Sequence, residues 1–276
     1  MLDKNVVFLG AGNMARALIA GLCREGLDPA RIQVHAPHTE RRDALAQELG
    51  VQSLAATPRA LPAGALVIYA AKPQQVQDIL PSWAEHLREA HALMVSVAAG
   101  IRTKTLQGLL PGVELIRAMP NTPAQVGAGI TCLYGEPALQ EAQRAQCEAL
   151  FRGTGKTLWL AREDLLEVAT ALAGSGPAYV LLFLEALEEA ALNLGMPRQE
   201  ARLLAMETLR GTGEWLAASG LAPALLRYQV TSPGGTTAAA LAVWEEGLRP
   251  LAQRALAAAV QRSQELALGT ERGDGS

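Results

Sequence analysis

Val6-Val7-Phe8-Leu9-Gly10-Ala11-Gly12-Asn13-Met14-Ala15 sets four apolar β-prone residues before a glycine turn, and a helical pattern follows. In a unit of this kind the first glycine permits the tight turn and the second lets backbone approach a pyrophosphate. The helix behind it then turns its free N–H groups and the positive end of its dipole toward the phosphates. Ala15 stands where the third glycine of GxGxxG is usual, and an ordinary strand-to-helix turn could carry the same glycines. Position favours the dinucleotide reading, because the motif follows the first strand of an α/β region.

Outward from this stretch, short apolar runs alternate with helical stretches to about Leu160. The runs 6–9, 32–35, 66–70, 93–97, 115–118 and 130–133 read as strands. Residues 14–26, 40–49, 74–87 and 138–151 read as helices between them. That alternation predicts a parallel sheet covered on both faces, an N-terminal Rossmann-type doubly wound α/β domain over 1–161. Past Arg162 the strand signal stops. Ala-, Leu- and Glu-rich helix fills 162–268, broken at Gly195-Met196-Pro197 and from Gly220 to Pro223, and predicts an all-α substrate and dimerisation domain. The stretch from Tyr179 to Leu192 is apolar around most of its circumference, so it needs cover on several sides, as a homo-oligomer interface would provide. The polar tail 269–276 reads as disordered.

Composition narrows the partners. Net charge is -3 with acids and bases interspersed, which offers no footing for nucleic acid or an anionic membrane and leaves a small molecule as the expected partner. Cys23, Cys132 and Cys147 are scattered without CxxC spacing, which fits a reducing compartment and structural thiols. The first five residues carry no export signature, and the apolar run from Ala178 stops at Glu185, short of a membrane span; a cytoplasmic protein is expected. The four histidines are scattered, so neither a metal site nor a histidine base is expected.

Cofactor contacts are expected at the carboxyl ends of the strands. Gly10, Gly12, Asn13 and Met14 follow the first. The second ends His35-Ala36-Pro37, without a carboxylate for ribose hydroxyls, and Arg41 and Arg42 follow; this suits a 2′-phosphate and so NADPH, with NADH a lesser candidate. The solvated first turn of a helix is the bland account of the same arginines. Ala70, Lys72 and Pro73 end the third run, Ala98-Ala99-Gly100 the fourth, and Met119-Pro120-Asn121 the fifth, where an amide between two prolines could fix a nicotinamide or a substrate edge.

In the helical half, Gly174-Ser175-Gly176-Pro177 opens the long apolar helix, with Ser175 read near its cap and Pro177 in its first turn. Thr231-Ser232-Pro233-Gly234-Gly235-Thr236-Thr237 opens another. Its two glycines expose backbone at a helix start and its threonines add hydroxyls, which outlines a carboxylate receptor. A capping loop is the plain alternative.

These segments, with Ala71-Lys72-Pro73-Gln74 and Ala118 to Ala124, resemble the pyrroline-5-carboxylate reductase family in order and over nearly the whole chain. The resemblance implies hydride transfer from a nicotinamide to the cyclic C=N of 1-pyrroline-5-carboxylate, giving L-proline. It implies Ser175 and Thr237 as catalytic groups, and Ser232, Gly234, Gly235, Thr236 and Thr237 as the substrate's contacts. It also implies an interlocked homodimer, often built into a decamer, whose sites combine one subunit's loop with its neighbour's cofactor. Gly220-Leu221-Ala222-Pro223 departs from the polar or acidic residue that often precedes this loop in the family. A β-hydroxyacid dehydrogenase would share the first half but place a catalytic lysine on an interface helix, whereas Lys156, the only lysine past Lys104, reads as part of a turn before a strand. A non-enzymatic NADP(H) sensor would not need the Ser-Pro-Gly-Gly-Thr-Thr segment.

Overall fold

The computed structural model describes residues 4–55 and 60–271. Its backbone contacts divide the chain into two compact units, one running to Ser175 and resuming at Ala259, the other Gly176–Ala258.

The first unit is built on an eight-stranded sheet ordered β3-β2-β1-β4-β5-β6-β7-β8. The strands are β1 Val6–Leu9, β2 Ile32–His35, β3 Gln52–Leu54, β4 Leu66–Tyr69, β5 Leu93–Ser96, β6 Glu114–Met119, β7 Gly129–Gly135 and β8 Gly155–Trp159. From β3 to β6 neighbours run parallel, as expected of a doubly wound sheet. β7 pairs antiparallel to β6 and then parallel to β8, so the expectation of a wholly parallel sheet is corrected at this edge. The physical reason is the connection: a 3₁₀ turn at Thr122–Val126 links β6 to β7, too short for the helical crossover that a parallel neighbour needs.

Successive residues of each central strand serve opposite cores. Val6, Phe8, Leu66, Ile68, Leu93 and Val95 pack on one face with helices α1 (Asn13–Arg24), α2 (Thr39–Leu49) and α6 (Glu141–Phe151). Val7, Leu9, Val67, Tyr69 and Met94 pack on the other with α3 (Val76–Ile79), α4 (Ala84–Glu89) and α5 (Thr103–Leu109). Burial on both sides is why these strands read as unbroken apolar runs. Cys132 and Cys147 are buried and Cys23 half-buried, all as free thiols.

The helix expected over 74–87 is four pieces, with 3₁₀ turns at Pro73–Gln75 and Leu80–Trp83 around α3 and before α4. Pro81 has no N–H for the helical ladder and breaks it. Helix α5 and the short edge strand β3 carried too little periodicity to be recognised from sequence, and β8 begins at Gly155, where a turn was expected.

The helical segments are α7 (Leu165–Ala169), a π-helical stretch at Thr170–Gly174, α8 (Gly176–Asn193), α9 (Arg198–Ser219), α10 (Pro223–Gln229) and α11 (Thr236–Glu271). The expected breaks at 195–197 and 220–223 fall between α8, α9 and α10. Two readings are corrected. Ser175 does not cap a helix; it lies in αR conformation between the π stretch and α8, its N–H donating to Thr170 O at 2.8 Å. Residues 269–271, read as part of a disordered tail, belong to α11, and 272–276 lie outside the described residues.

Because the chain stays helical through Ser175, Leu165–Asn193 forms 29 helical residues, in which an 18-residue window has mean hydropathy 1.4 and is 17% buried. By length and composition it could cross a membrane, which corrects the expectation that the apolar run is too short. Within the second unit its α8 portion packs Phe183 on Trp244, 5.3 Å between ring centroids, and Arg198 pairs with Glu188 at 3.2 Å. The remaining apolar surface is large: Leu181 is 58% exposed, Leu182 65%, Leu203 60% and Val243 69%. Apolar surface this extensive marks an interface.

Candidate active site

The glycine turn after β1 is fixed by its neighbours. Gly10 has φ +123°, its N–H donates to His35 O at 2.7 Å, and a Cβ there would lie 2.5 Å from the backbone of Ala70. The fold itself therefore demands glycine at 10. Gly12 is different: its backbone is extended and a Cβ would meet nothing within 4 Å. Nothing among the described residues requires its smallness, while a ligand laid against the backbone would. Helix α1 starts at Asn13, with Met14 next, and no side chain caps it, so its first N–H groups face that open space.

Around the turn, Gly10, Gly12, Ala36, Pro37, Arg41, Ala70 and Lys72 line one cleft together with His38 and Gln75, which sequence reasoning had not assigned. Lys72 is held from behind, its carbonyl accepting from Tyr69 Oη at 2.9 Å, and burial pushes the Tyr69 phenol well up. A polar extension of the cleft runs over Pro37, His38, Thr39, Glu40, Arg41 and Lys72. Arg42 does not share it. It is 6% exposed, donating through Nη1 to Leu54 O at 3.1 Å and through Nε to Asp43 at 2.8 Å. Of the two arginines expected to meet a phosphate, Arg42 is thus a structural tie between α2 and β3. The His35 ring is also turned inward: it tilts against Trp83 at 5.4 Å, Nδ1 lies 3.2 Å from Leu54 O, and burial lowers its pKa.

A second cavity of about 320 Å³, within the same unit, brings together Pro73, Ala99, Gly100 and Ser175. Thr170, Arg262 and Ser263 line it too and were not foreseen. Thr170 precedes Ser175 by five residues, a π-helical spacing that neither 3.6-residue periodicity nor capping patterns reveal. Ala98 is buried beside this cavity's strand end. Met119 and Asn121 are placed behind it. Gly174 sits against the Met119 methyl, and the Asn121 amide donates to Ala173 O at 3.2 Å while accepting from Ile130 N at 2.9 Å. Pro120, between them, is buried. Nearby, Glu163 Oε1 accepts from Thr103 N at 2.6 Å, Thr103 Oγ1 at 2.7 Å and Arg117 Nη1 at 2.8 Å. Burial alone would raise the Glu163 pKa, but these three bonds outweigh it and hold the carboxyl below its ordinary value.

In the second unit the segment before α11 forms a tight turn. Gly234 takes φ +69°, Gly235 N–H donates to Ser232 O at 3.1 Å, and an added Cβ at Gly235 would run into the Ser232 hydroxyl. The Gly235 N–H is therefore spent inside the turn, and the groups presented outward are those of the helix start. Ala239 N donates to Gly235 O, which leaves the N–H groups of Thr236, Thr237 and Ala238 ahead of the helical ladder.

Comparison with known proteins agrees with both halves. Residues 5–100 match the model of the family described as NADP oxidoreductase, coenzyme F420-dependent, and residues 163–266 match that of pyrroline-5-carboxylate reductase dimerisation. The chain is 37% identical over 269 residues to the pyrroline-5-carboxylate reductase of Pseudomonas aeruginosa, covering 97% of this chain and 98% of that one. The chain belongs to the pyrroline-5-carboxylate reductase family. Another reductase, from Pisum sativum, is 37% identical over 260 residues, 94% of each chain. The solved pyrroline-5-carboxylate reductase of Coxiella burnetii superposes with a TM-score of 0.90 at 38% identity, covering 96% of this chain and 98% of that one. The fold also matches the NADP-bound enzyme of Plasmodium falciparum, TM-score 0.81 at 23% identity over 97% of this chain and 99% of that one.

As a member of this reductase family the chain is an oxidoreductase using NAD(P)H, with a Rossmann-type sheet for the dinucleotide and a helical dimerisation domain. The open backbone at Gly12 and the uncapped start of α1 fit the pyrophosphate of such a cofactor.

Proposed function

We propose that this protein reduces 1-pyrroline-5-carboxylate to L-proline, the last step of proline biosynthesis, with NADPH preferred over NADH. One observation carries the reading: a chain similar to reductases of that name over nearly its whole length keeps both a backbone cradle behind β1 and a glycine-lined helix start at 232–237.

In this reading Gly10, Gly12, Asn13 and Met14 offer backbone to the pyrophosphate, and His35 contributes through its backbone, which ties down Gly10. Ala36, Pro37 and Arg41 meet the adenosine ribose and its 2′-phosphate, with Lys72 lining the same cleft. Ala70, Pro73, Ala98, Ala99 and Gly100 line the nicotinamide end, and Met119, Pro120 and Asn121 support it from behind. Ser232, Gly234, Gly235, Thr236 and Thr237 take the substrate's carboxylate: the free N–H groups of Thr236 and Thr237 and the threonine hydroxyls donate to it. Ser175, on the wall of the cavity with Ala99 and Gly100, helps to position the substrate for reaction. A nicotinamide held against Ala98, Ala99 and Gly100 would supply the hydride for the C=N bond. A pyrrolinium already protonated on nitrogen accepts that hydride without a strong acid from the protein, in keeping with substrate-binding segments that contain no histidine. The protein contributes placement.

The exposed apolar faces of α8, α9 and α11 support a homodimer, and we extend this to a decamer in which each site joins one subunit's 232–237 loop with its neighbour's cofactor cleft. The functional division falls near residue 162, supported by the dimerisation match over 163–266. We place the protein in the cytoplasm, with α8 covered by a second copy and not by lipid. The test is direct: purified protein is mixed with pyrroline-5-carboxylate and NADPH, then NADH, and nicotinamide absorbance is followed. Rapid loss with NADPH and slower loss with NADH are expected. Absorbance that stays constant while NADPH still binds would refute the reductase and favour a sensor.

A further inference from the structure

We infer that Asn121 is a positioning residue: its amide replaces the N–H that Pro177 lacks, and so holds the π-helical break that aims Ser175 and Thr170 into the cavity with Ala99 and Gly100. The inference rests on the proposed reductase site and deepens it.

Its starting point is the ladder of a helix. The carbonyl of Ala173 would ordinarily receive the N–H of the fourth residue on, and that residue is Pro177, which has none. A half-buried carbonyl left without a donor is destabilising, because it has given up water without gaining a partner. Asn121 Nδ2 donates to this carbonyl at 3.2 Å, and its Oδ1 simultaneously accepts from Ile130 N at 2.9 Å. Both ends of the amide are thereby committed to backbone, and its orientation is fixed by chemistry: the oxygen must face an N–H and the nitrogen a C=O. One side chain thus pins the segment 170–175 to β7.

The segment so pinned is irregular. Thr170–Gly174 is π-helical, with Ser175 N–H closing a five-residue ring on Thr170 O at 2.8 Å, and Thr170 Oγ1 donating to Leu166 O at 2.7 Å. A π turn inserts one residue into the helix and rotates the residues beyond it by about 100° relative to an unbroken α-helix. It brings Thr170 and Ser175, five apart, onto one wall of a common cavity. Gly174 lets this stretch close on Met119, because an added Cβ would lie 2.8 Å from that methyl. Strand β6 and the turn after it therefore supply two attachments, Met119 and Asn121, two residues apart. Neither Met119 nor Asn121 lines that cavity, so the action is through Ser175.

The variants are Asn121→Asp, which keeps the acceptor toward Ile130 and sets an oxygen against Ala173 O, and Asn121→Ala with and without Pro177→Ala. Three quantities are read in the full-length protein: kcat and KM for pyrroline-5-carboxylate, Kd for NADPH by fluorescence titration, and hydrogen exchange of the amides from 171 to 176. Asn121→Asp is expected to lower kcat by about tenfold to 100-fold, to leave the NADPH Kd within about twofold, and to speed exchange across that segment. Adding Pro177→Ala to Asn121→Ala restores a donor to Ala173; slow exchange should return while kcat stays low, because the helix then runs without its break. Should Asn121→Asp not fold, Asn121→Ser serves in its place. Unchanged exchange in either single variant overturns the clamp, and faster exchange with unchanged kcat and KM overturns its positioning role. A wild-type protein with no reductase activity would sink the catalytic reading alone, and the exchange response would still decide the clamp.

Discussion

The two units solve the problem of making a site in opposite ways. In the first, Gly10, Ala70 and His35 lock one another, and the β1 and β4 side chains behind them are fully buried, so the cradle is complete within one chain. In the second, the 232–237 turn is formed, but the helices beside it leave Leu181, Leu182 and Leu203 more than half exposed. A sheet buries its own apolar faces under helices of the same chain, whereas a few helices with apolar residues on several sides cannot cover one another. The first region is finished by folding and the second by association.

Perturbations of the two should differ in kind. The largest effect is expected for Gly10→Val. Its branched side chain would collide with Ala70 backbone at a φ of +123°, so a loss of several kcal/mol of stability and of detectable dinucleotide binding is expected in thermal melts and fluorescence titration. A soluble Gly10→Val protein with normal NADPH affinity would break the claim that the cradle is self-contained. Next, Leu182→Glu places a charge on the exposed α8 face; light scattering should show smaller particles and activity should fall at least about tenfold, with NADPH binding retained. Dimers as tight as wild type would mean that α8 is covered by something else. Thr237→Ala removes one hydroxyl donor to a carboxylate and should raise KM for pyrroline-5-carboxylate by about tenfold, leaving NADPH Kd within about twofold. Equal rises in both constants would blur the distinction between the regions. The smallest change is expected for Arg41→Ala, an exposed group: NADPH Kd should rise several-fold to about tenfold while NADH Kd stays put. Arg42→Ala should instead lower the melting temperature with the same NADPH-to-NADH ratio, because Arg42 serves Leu54 and Asp43.

Sequence reading recovered β1 and β2 to the residue and the other buried strands to within two residues, because strands buried on both faces leave continuous apolar runs between glycine and proline signals. It failed where the determining partner is remote. The antiparallel β7 follows from a connection too short to cross the sheet, which no periodicity encodes. Arg42 looked like its neighbour Arg41, and only the approach of β3 separates them. Ser175 looked like a cap because Gly-Ser-Gly-Pro ordinarily starts a helix; here Asn121, more than fifty residues earlier, supplies the missing bond and the helix continues.

The amino-acid order by itself determined the doubly wound sheet, the switch to helix beyond residue 162 and the two glycine-bearing turns, since each is a local matter of apolar period and backbone freedom. Tertiary structure decided which polar side chains face open clefts and which are consumed as ties between elements. An arginine or an asparagine carries the same donors in either setting, and only the backbone groups that packing brings within hydrogen-bond reach determine how they are used.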